Sequence, residues 1–209
     1  MTTHDFTLLL PYNAPQKEYH LQPTAPNLSK TAYDILGLLP DGYRSLLARE
    51  GPGAAAAELL AQIPPEKLVI NPAKDARMLQ SIAAGLWLWH DGLHQAHTLA
   101  QQIDTETGAL WHAIVHRRQG DFANSKQWYA KCPNHPALMA INNQAGVVLN
   151  DLPADNRLIR LTLDGWNSAY LVDLVEQYHG LEKDEFHHIL VVLQQLEWRV
   201  LLEYCAAMA

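Results

Sequence analysis

The chain has 209 residues, 48% apolar and 18% charged, with 22 acids against 15 lysines and arginines and a net charge of −7. That length supports one self-sufficient core, the apolar content excludes intrinsic disorder, and the acidic balance excludes a basic nucleic-acid footprint for the whole chain. Cys132 and Cys205 are too few for a disulfide framework and match no zinc spacing; without an apolar run of about 18 residues or a basic-then-apolar leader, the expectation is a cytoplasmic protein that does not cross a membrane.

Residues 1–28 carry Pro11, Pro15, Pro23 and Pro26, which leave no room for a long helix. Phe6, Leu8 and Leu10 alternate with Thr7 and Leu9, so this stretch reads as an extended N-terminal arm with a short strand at most. Residues 29–209 read as a single all-α domain. Ser29 caps a helix carrying Ala32, Ile35, Leu36 and Leu39, and Pro40-Asp41-Gly42 breaks it. A second piece carries Tyr43, Leu46 and Leu47 and stops at Gly51-Pro52-Gly53. Ala54 to Ile63 is rich in helix formers, and Pro64-Pro65 closes it. Asn71-Pro72 has the form of a helix start, ahead of Met78, Leu79, Ile82, Leu86 and Trp89. Asp91-Gly92 either interrupts that helix or is carried through to Ile103.

Gly108 to Arg118 follows, capped by Thr105 or Thr107. Gly120-Asp121 turns the chain into Phe122 to Cys132, and Pro133 and Pro136 bracket the next turn. Ala137 to Leu149 is a helix and Asp151 to Asn156 a polar loop. Leu158 to Leu163 fits a short helix or a strand. Asp164 is placed to cap a helix through Tyr178. The last helix opens on Glu182, Asp184 and Glu185, which suit its N-terminal dipole. Phe186, Ile189, Leu190, Leu193, Leu196, Val200 and Leu201 then recur at steps of three and four. That stripe predicts either a covered core helix or the face of a homodimer.

Residues 82–103, shifted by 29, lie on 111–132 with Leu86 on Val115, Asp91-Gly92 on Gly120-Asp121, Ala96 on Ser125 and Leu99 on Trp128. The second copy resembles a tetratricopeptide-repeat hairpin through Gly120-Asp121-Phe122, Ser125, Trp128-Tyr129, Lys131 and Pro136. Gly and Asp make the turn, a small residue admits a close helix crossing, and aromatics fill the groove. The resemblance implies a repeat-like centre of about 60 residues rather than an array, since an array needs about three copies. The stretch from Trp111 to Asp121 also resembles the WHAIxHRREGD segment of a family of uncharacterised bacterial proteins. That resemblance adds Asp91, His97, Asn124 and Trp128 as companion positions and implies a bacterial source, but it carries no activity. Gln119 stands where that pattern has Glu, so no acid–base role transfers to it.

The candidate chemistry lies in the histidines. Eleven occur, six of them (His90, His94, His97, His112, His116 and His135) between residues 90 and 135. On one unbroken helix, His90, His94 and His97 would share a face, as do His112 and His116. Helices joined by a short loop pack antiparallel. Pairing about residue 106 sets His97 level with His116, and His112 roughly 5 Å along the axis. Convergence of His97, His112 and His116 would make a three-imidazole site for a divalent transition metal such as zinc, iron or nickel, with an open position. Asp91 and Arg117 are the accompanying ligand-binding candidates, Arg117 because a guanidinium holds carboxylates and phosphates bidentately.

The leading functional expectation is a non-catalytic binding module with a polar His/Arg pocket for a small molecule or a protein partner. The rivals are a metal-dependent hydrolytic or oxidative enzyme and a purely structural subunit. Trp87, Trp89, Trp111 and Trp128 are expected in the core, Asp121 as an N-cap, and Arg118 in a structural ion pair. No GxSxG, GxxxxGK or GxGxxG occurs, which gives no support to serine hydrolases, P-loop enzymes or dinucleotide enzymes.

Overall fold

A computed structural model describes residues 7–8, 19–20, 23–48 and 51–209. Thr7–Leu8 pairs antiparallel with Tyr19–His20; the rest of the expected arm before residue 23 lies outside the described residues. The described remainder is an all-α bundle of ten helices: α1 Lys30–Leu36, α2 Ala54–Gln62, α3 Ala76–Trp89, α4 Leu93–Gln102, α5 Glu106–Gln119, α6 Phe122–Tyr129, α7 Pro136–Asn150, α8 Asn156–Thr162, α9 Ser168–Tyr178 and α10 Glu185–Met208. None is long and apolar enough to cross a membrane.

The bundle is built around α10. Its first turn is fixed by Asp184, which accepts from the Phe186 N–H, and its stripe is covered within the chain, with Leu190, Leu193 and Leu201 fully buried. It therefore serves as a core helix, and the face once free to be a dimer surface is occupied. Gln194, Gln195 and Glu197 are also inaccessible, so the middle of α10 is enclosed on its polar side as well, while His188 is exposed and Arg199 and Glu203 are half-buried. Trp198 stacks on Trp89 of α3 with ring centroids 4.1 Å apart and donates its Nε1–H to the Gly85 carbonyl at 2.8 Å. A Cβ at Gly85 would come within 2.9 Å of the Trp111 ring, so this helix approach requires glycine.

Local signals explain the other elements, with corrections. Ser29 caps α1 through the Ala32 N–H, and the residues ahead of it are pinned by backbone bonds between Ser29 and Leu68 and between Ile70 and Asn27. The segment around Tyr43, Leu46 and Leu47 is not helical. Its carbonyls are taken by side chains instead: Gln195 binds those of Asp41 and Tyr43, Gln194 that of Leu46, and Arg118 that of Ser45. α3 begins at Ala76 rather than Pro72, because Asp75 caps it through the Arg77 N–H while Asn71 is spent on the Asn27 side chain. Leu158 to Leu163 is mostly helix, capped by Asp155, and α9 is capped by Asn167 rather than Asp164.

Asp91-Gly92 does interrupt the chain. Asp91 adopts φ +59, the one positive φ outside glycine among the described residues, and Arg118 holds its carboxylate. The result is two successive hairpins, α3–α4 and α5–α6, with α4 packed on α5. Thr105 caps α5 through the Gly108 N–H, and Gly120 ends it with φ +82. Ser125, fully buried, lets α6 lie close on α5 and donates its hydroxyl to the Ala113 carbonyl at 2.8 Å.

Candidate metal centre

Packing of α4 on α5 brings His97, His112 and His116 together. Each offers one ring nitrogen, and the three nitrogens lie within 4.8 Å of one another. His112 and His116 are one turn apart on α5, so their rings run parallel, 5.0 Å between centroids and 5° between planes. His97 meets both edge-on, at 4.4 Å and 5.2 Å with interplanar angles of 88°. His112 Nε2 and His97 Nε2 are 2.8 Å apart. Two such nitrogens hydrogen-bond only when one carries a proton and the other a lone pair, so this pair shares a single proton.

α6 supplies one wall. Trp128 stacks on the His112 ring at 3.9 Å with 16° between planes, and the Lys131 ammonium sits 3.4 Å from the Trp128 ring centroid. His112 is 3% exposed. Burial, reinforced by the neighbouring His97, His116 and Lys131 charges, pushes its pKa down to about 4. Burial also lowers that of His116, against the opposing pull of Asp121 and with further lowering from His97. His112 Nδ1 and His116 Nδ1 are buried without a hydrogen-bond partner. His116 Nδ1 does have the Asp121 carboxylate 3.5 Å away. Asp121 is the N-cap of α6, held by the Asn124 side chain at 2.7 Å and its backbone N–H at 3.3 Å. Those bonds keep its carboxyl below the usual range, Asn124 being the main cause.

No protein family, curated protein or solved structure matches this chain.

The other expected site residues lie elsewhere. Arg117 does not join the histidines: it follows His116 by one position, about 100° around α5, and is completely buried against α10. There it donates to Glu197 at 2.5 Å, Tyr129 at 2.7 Å and Gln194 at 2.9 Å. A guanidinium so enclosed is not a ligand-binding group. Asp91 is likewise drawn away, paired with Arg118 beside His90 in a separate cavity of about 410 Å³. His90 is the C-cap of α3, its Nε2 2.9 Å from the Ile35 carbonyl, because the break at Asp91 separates it from His97. His94 is exposed. His135 caps α7: its Nδ1 accepts from the Ala137 N–H, and its Nε2 lies 3.0 Å from Thr107 Oγ1.

Trp87, Trp89 and Trp111 are core as expected, with Trp111 fully buried. Trp128 is only half-buried: it packs against the edge of the core and lays its ring on His112. Its periodicity gave no hint of this; only its companion position in the WHAIxHRREGD resemblance set it beside the histidines. Lys131 entered only as a pattern position of the tetratricopeptide-repeat resemblance, with nothing to link it to the histidines.

Three imidazoles with one nitrogen each brought together can, once unprotonated, hold a first-row transition ion and leave a coordination position for water or a ligand. Nitrogens of a tetrahedral set lie about 3.4 Å apart when each ligand is about 2.1 Å from the metal; the observed separations bracket that distance, and the parallel His112 and His116 rings must turn relative to one another for both to face one ion.

Proposed function

We propose that this protein is a metal-binding module that holds one divalent transition ion through His97, His112 and His116. The observation that carries the reading is the convergence of one nitrogen from each of the three rings within 4.8 Å. A metal ligand must be unprotonated, and burial keeps the His112 ring neutral well below neutral pH. The proton shared by His97 and His112 is the one a bound ion displaces. Trp128 stacks on the His112 ring and the Asp121 carboxylate lies 3.5 Å from His116 Nδ1, the outer positions from which supporting groups tune a metal's ligands. A bound ion would supply Lewis acidity and lower the pKa of a coordinated water. A module that stores or senses the ion uses the same three ligands without that chemistry. The expected His/Arg pocket is replaced by a histidine-only centre, because Arg117 is committed to Glu197.

The test is metal analysis of protein purified without a histidine tag, followed by calorimetric titration of the metal-free protein with zinc and nickel. One ion per chain is expected, with loss of binding in His97→Ala and in His112→Ala. Copper(II) titration should quench Trp128, since the indole stacks on a ligand ring, and Trp128→Phe should remove most of that quenching. Stoichiometric binding that survives both His→Ala substitutions, or no binding at all, overturns the reading.

A further inference from the structure

A second site lies on the far side of α6. The first turn of α9, the loop ahead of it and α6 enclose a cavity of about 420 Å³ lined by Lys126, Tyr129, Arg160, Trp166 and Ser168, a size typical of small-molecule sites. Nothing in the metal reading uses it.

Its lining has two characters. Tyr129 and Trp166 are 5% and 8% exposed, and both turn their polar atoms inward: the Tyr129 hydroxyl and the Trp166 Nε1–H donate to Glu197 Oε1 at 3.0 Å and 3.1 Å. Ring carbon is what they leave to the cavity. Leu138, Pro133 and Ala130 continue that apolar wall.

The rest of the lining is polar: the cations Lys126 and Arg160, the side chains of Asn167 and Ser168, and one carboxylate, the exposed Asp164, which makes no ion pair with Arg160 among the described residues. Lys126 is paired with Asp173. Arg160 lies over the Tyr170 ring at 4.4 Å and has no carboxylate partner among the described residues. Ser168, the first residue of α9, is 7% exposed, and its hydroxyl is buried with no hydrogen-bond partner. A buried hydroxyl without a partner costs free energy unless something completes it. The start of an 11-residue helix adds its positive dipole end at the same place, although the Tyr170 N–H is already taken by Asn167 and the Ser168 N–H by the Trp166 carbonyl.

We infer that this cavity binds a small organic carboxylate with an aromatic or other apolar body, the carboxylate held by Arg160, Ser168 and the α9 N-terminus and the body laid on Tyr129 and Trp166. A purely inorganic anion would leave the apolar wall unused, and a neutral compound would leave Arg160 and the helix dipole without a partner.

The experiment is calorimetric or saturation-transfer titration with phenylacetate, its neutral isostere phenylacetamide, and inorganic phosphate. It is run on the His97→Ala protein with chelator present, so that no carboxylate–metal contact contributes and failure of the metal reading is a separate result. Phenylacetate should bind, with phenylacetamide and phosphate each weaker by about tenfold or more, the value of one charge-assisted hydrogen bond. Arg160→Gln should weaken phenylacetate by about tenfold as well. Ser168→Ala should weaken it by a smaller factor. Both variants should keep the parent melting temperature, because Arg160 is exposed and alanine suits the first turn of a helix. Absence of phenylacetate binding, equal binding of phenylacetamide or phosphate, or affinity unchanged in Arg160→Gln overturns the inference.

Discussion

Replacing Arg117 tests directly whether it belongs to a site or to the core. Its side chain and that of Glu197 are both 0% exposed and lie 2.5 Å apart. Glu197 also accepts from Tyr129 and Trp166, and Arg117 also donates to Gln194 and Tyr129. Every polar group in the cluster is thus matched inside the protein. Arg117→Met removes the cation and leaves a buried carboxylate with only two neutral donors. Glu197→Gln keeps the shape and leaves a buried guanidinium without a counter-charge. Breaking one side of such a pair costs about 3–5 kcal/mol. For a chain of this length that is a fall of about 6–20 °C in melting temperature. The double variant removes both charges together and should cost far less than the sum of the two, because what each single change leaves behind is the uncompensated partner. Urea melts of the parent, both singles and the double give the coupling, and zinc titration of Arg117→Met gives the functional side, which should be unchanged. Single losses below about 1 kcal/mol, or a double loss equal to the sum, would refute the description of a closed buried pair. Loss of zinc binding with stability intact would return Arg117 to the metal centre.

Two further outcomes follow from the same structure. His116→Ala should be near neutral for stability while abolishing metal binding, since its Nδ1 has no hydrogen-bond partner to strand, whereas Leu193→Ala, fully buried in α10, should cost about 2–5 kcal/mol; urea melts compare them, and a large loss in His116→Ala with metal binding intact would make the histidine structural. Burial holds the His135 pKa down at about 4, so the unfolded chain takes up a proton near pH 6.5 that the folded chain refuses. Stability from this group is complete above pH 6.5 and is lost as the pH falls to 4, by at most about 3 kcal/mol. Denaturant melts across that window should show the loss in the metal-free protein and a smaller one in His135→Asn, where a neutral side chain keeps the cap; equal slopes would refute it.

Much of this was readable before the fold. The i, i+3 and i, i+4 stripe of α10 and the turn at Gly120-Asp121 are written in local sequence, and so is the pairing of His97 with His112 and His116, because a short link between two helices fixes which residues stand level. Arg117 was misread because helical phase says which face a residue occupies but not what the opposite face meets. Glu197 lies 80 positions away, and nothing local joins the two. The Tyr43 to Leu47 segment was misread for a similar reason: its helical spacing was overruled by Gln194, Gln195 and Arg118, which claim its carbonyls from distant elements. Asn71-Pro72 lost to Asp75 because two capping signals stood close together and the remote Asn27 engaged the first.

The corner at Asp91 has a consequence for how this chain tolerates change in length. α3 and α4 are separated by residues 90–92 alone, and α4 and α5 by residues 103–105. One residue inserted at either corner and absorbed into α4 would rotate that helix by about 100° and slide it about 1.5 Å. His97 would then turn away from the other two rings, although every side chain of the centre was still present. The spacing of the corners therefore encodes the centre as firmly as the histidines do. Asp91, which seemed a ligand by its chemistry, acts as the pin that holds that spacing, with Arg118 keeping its backbone in a conformation few residues adopt.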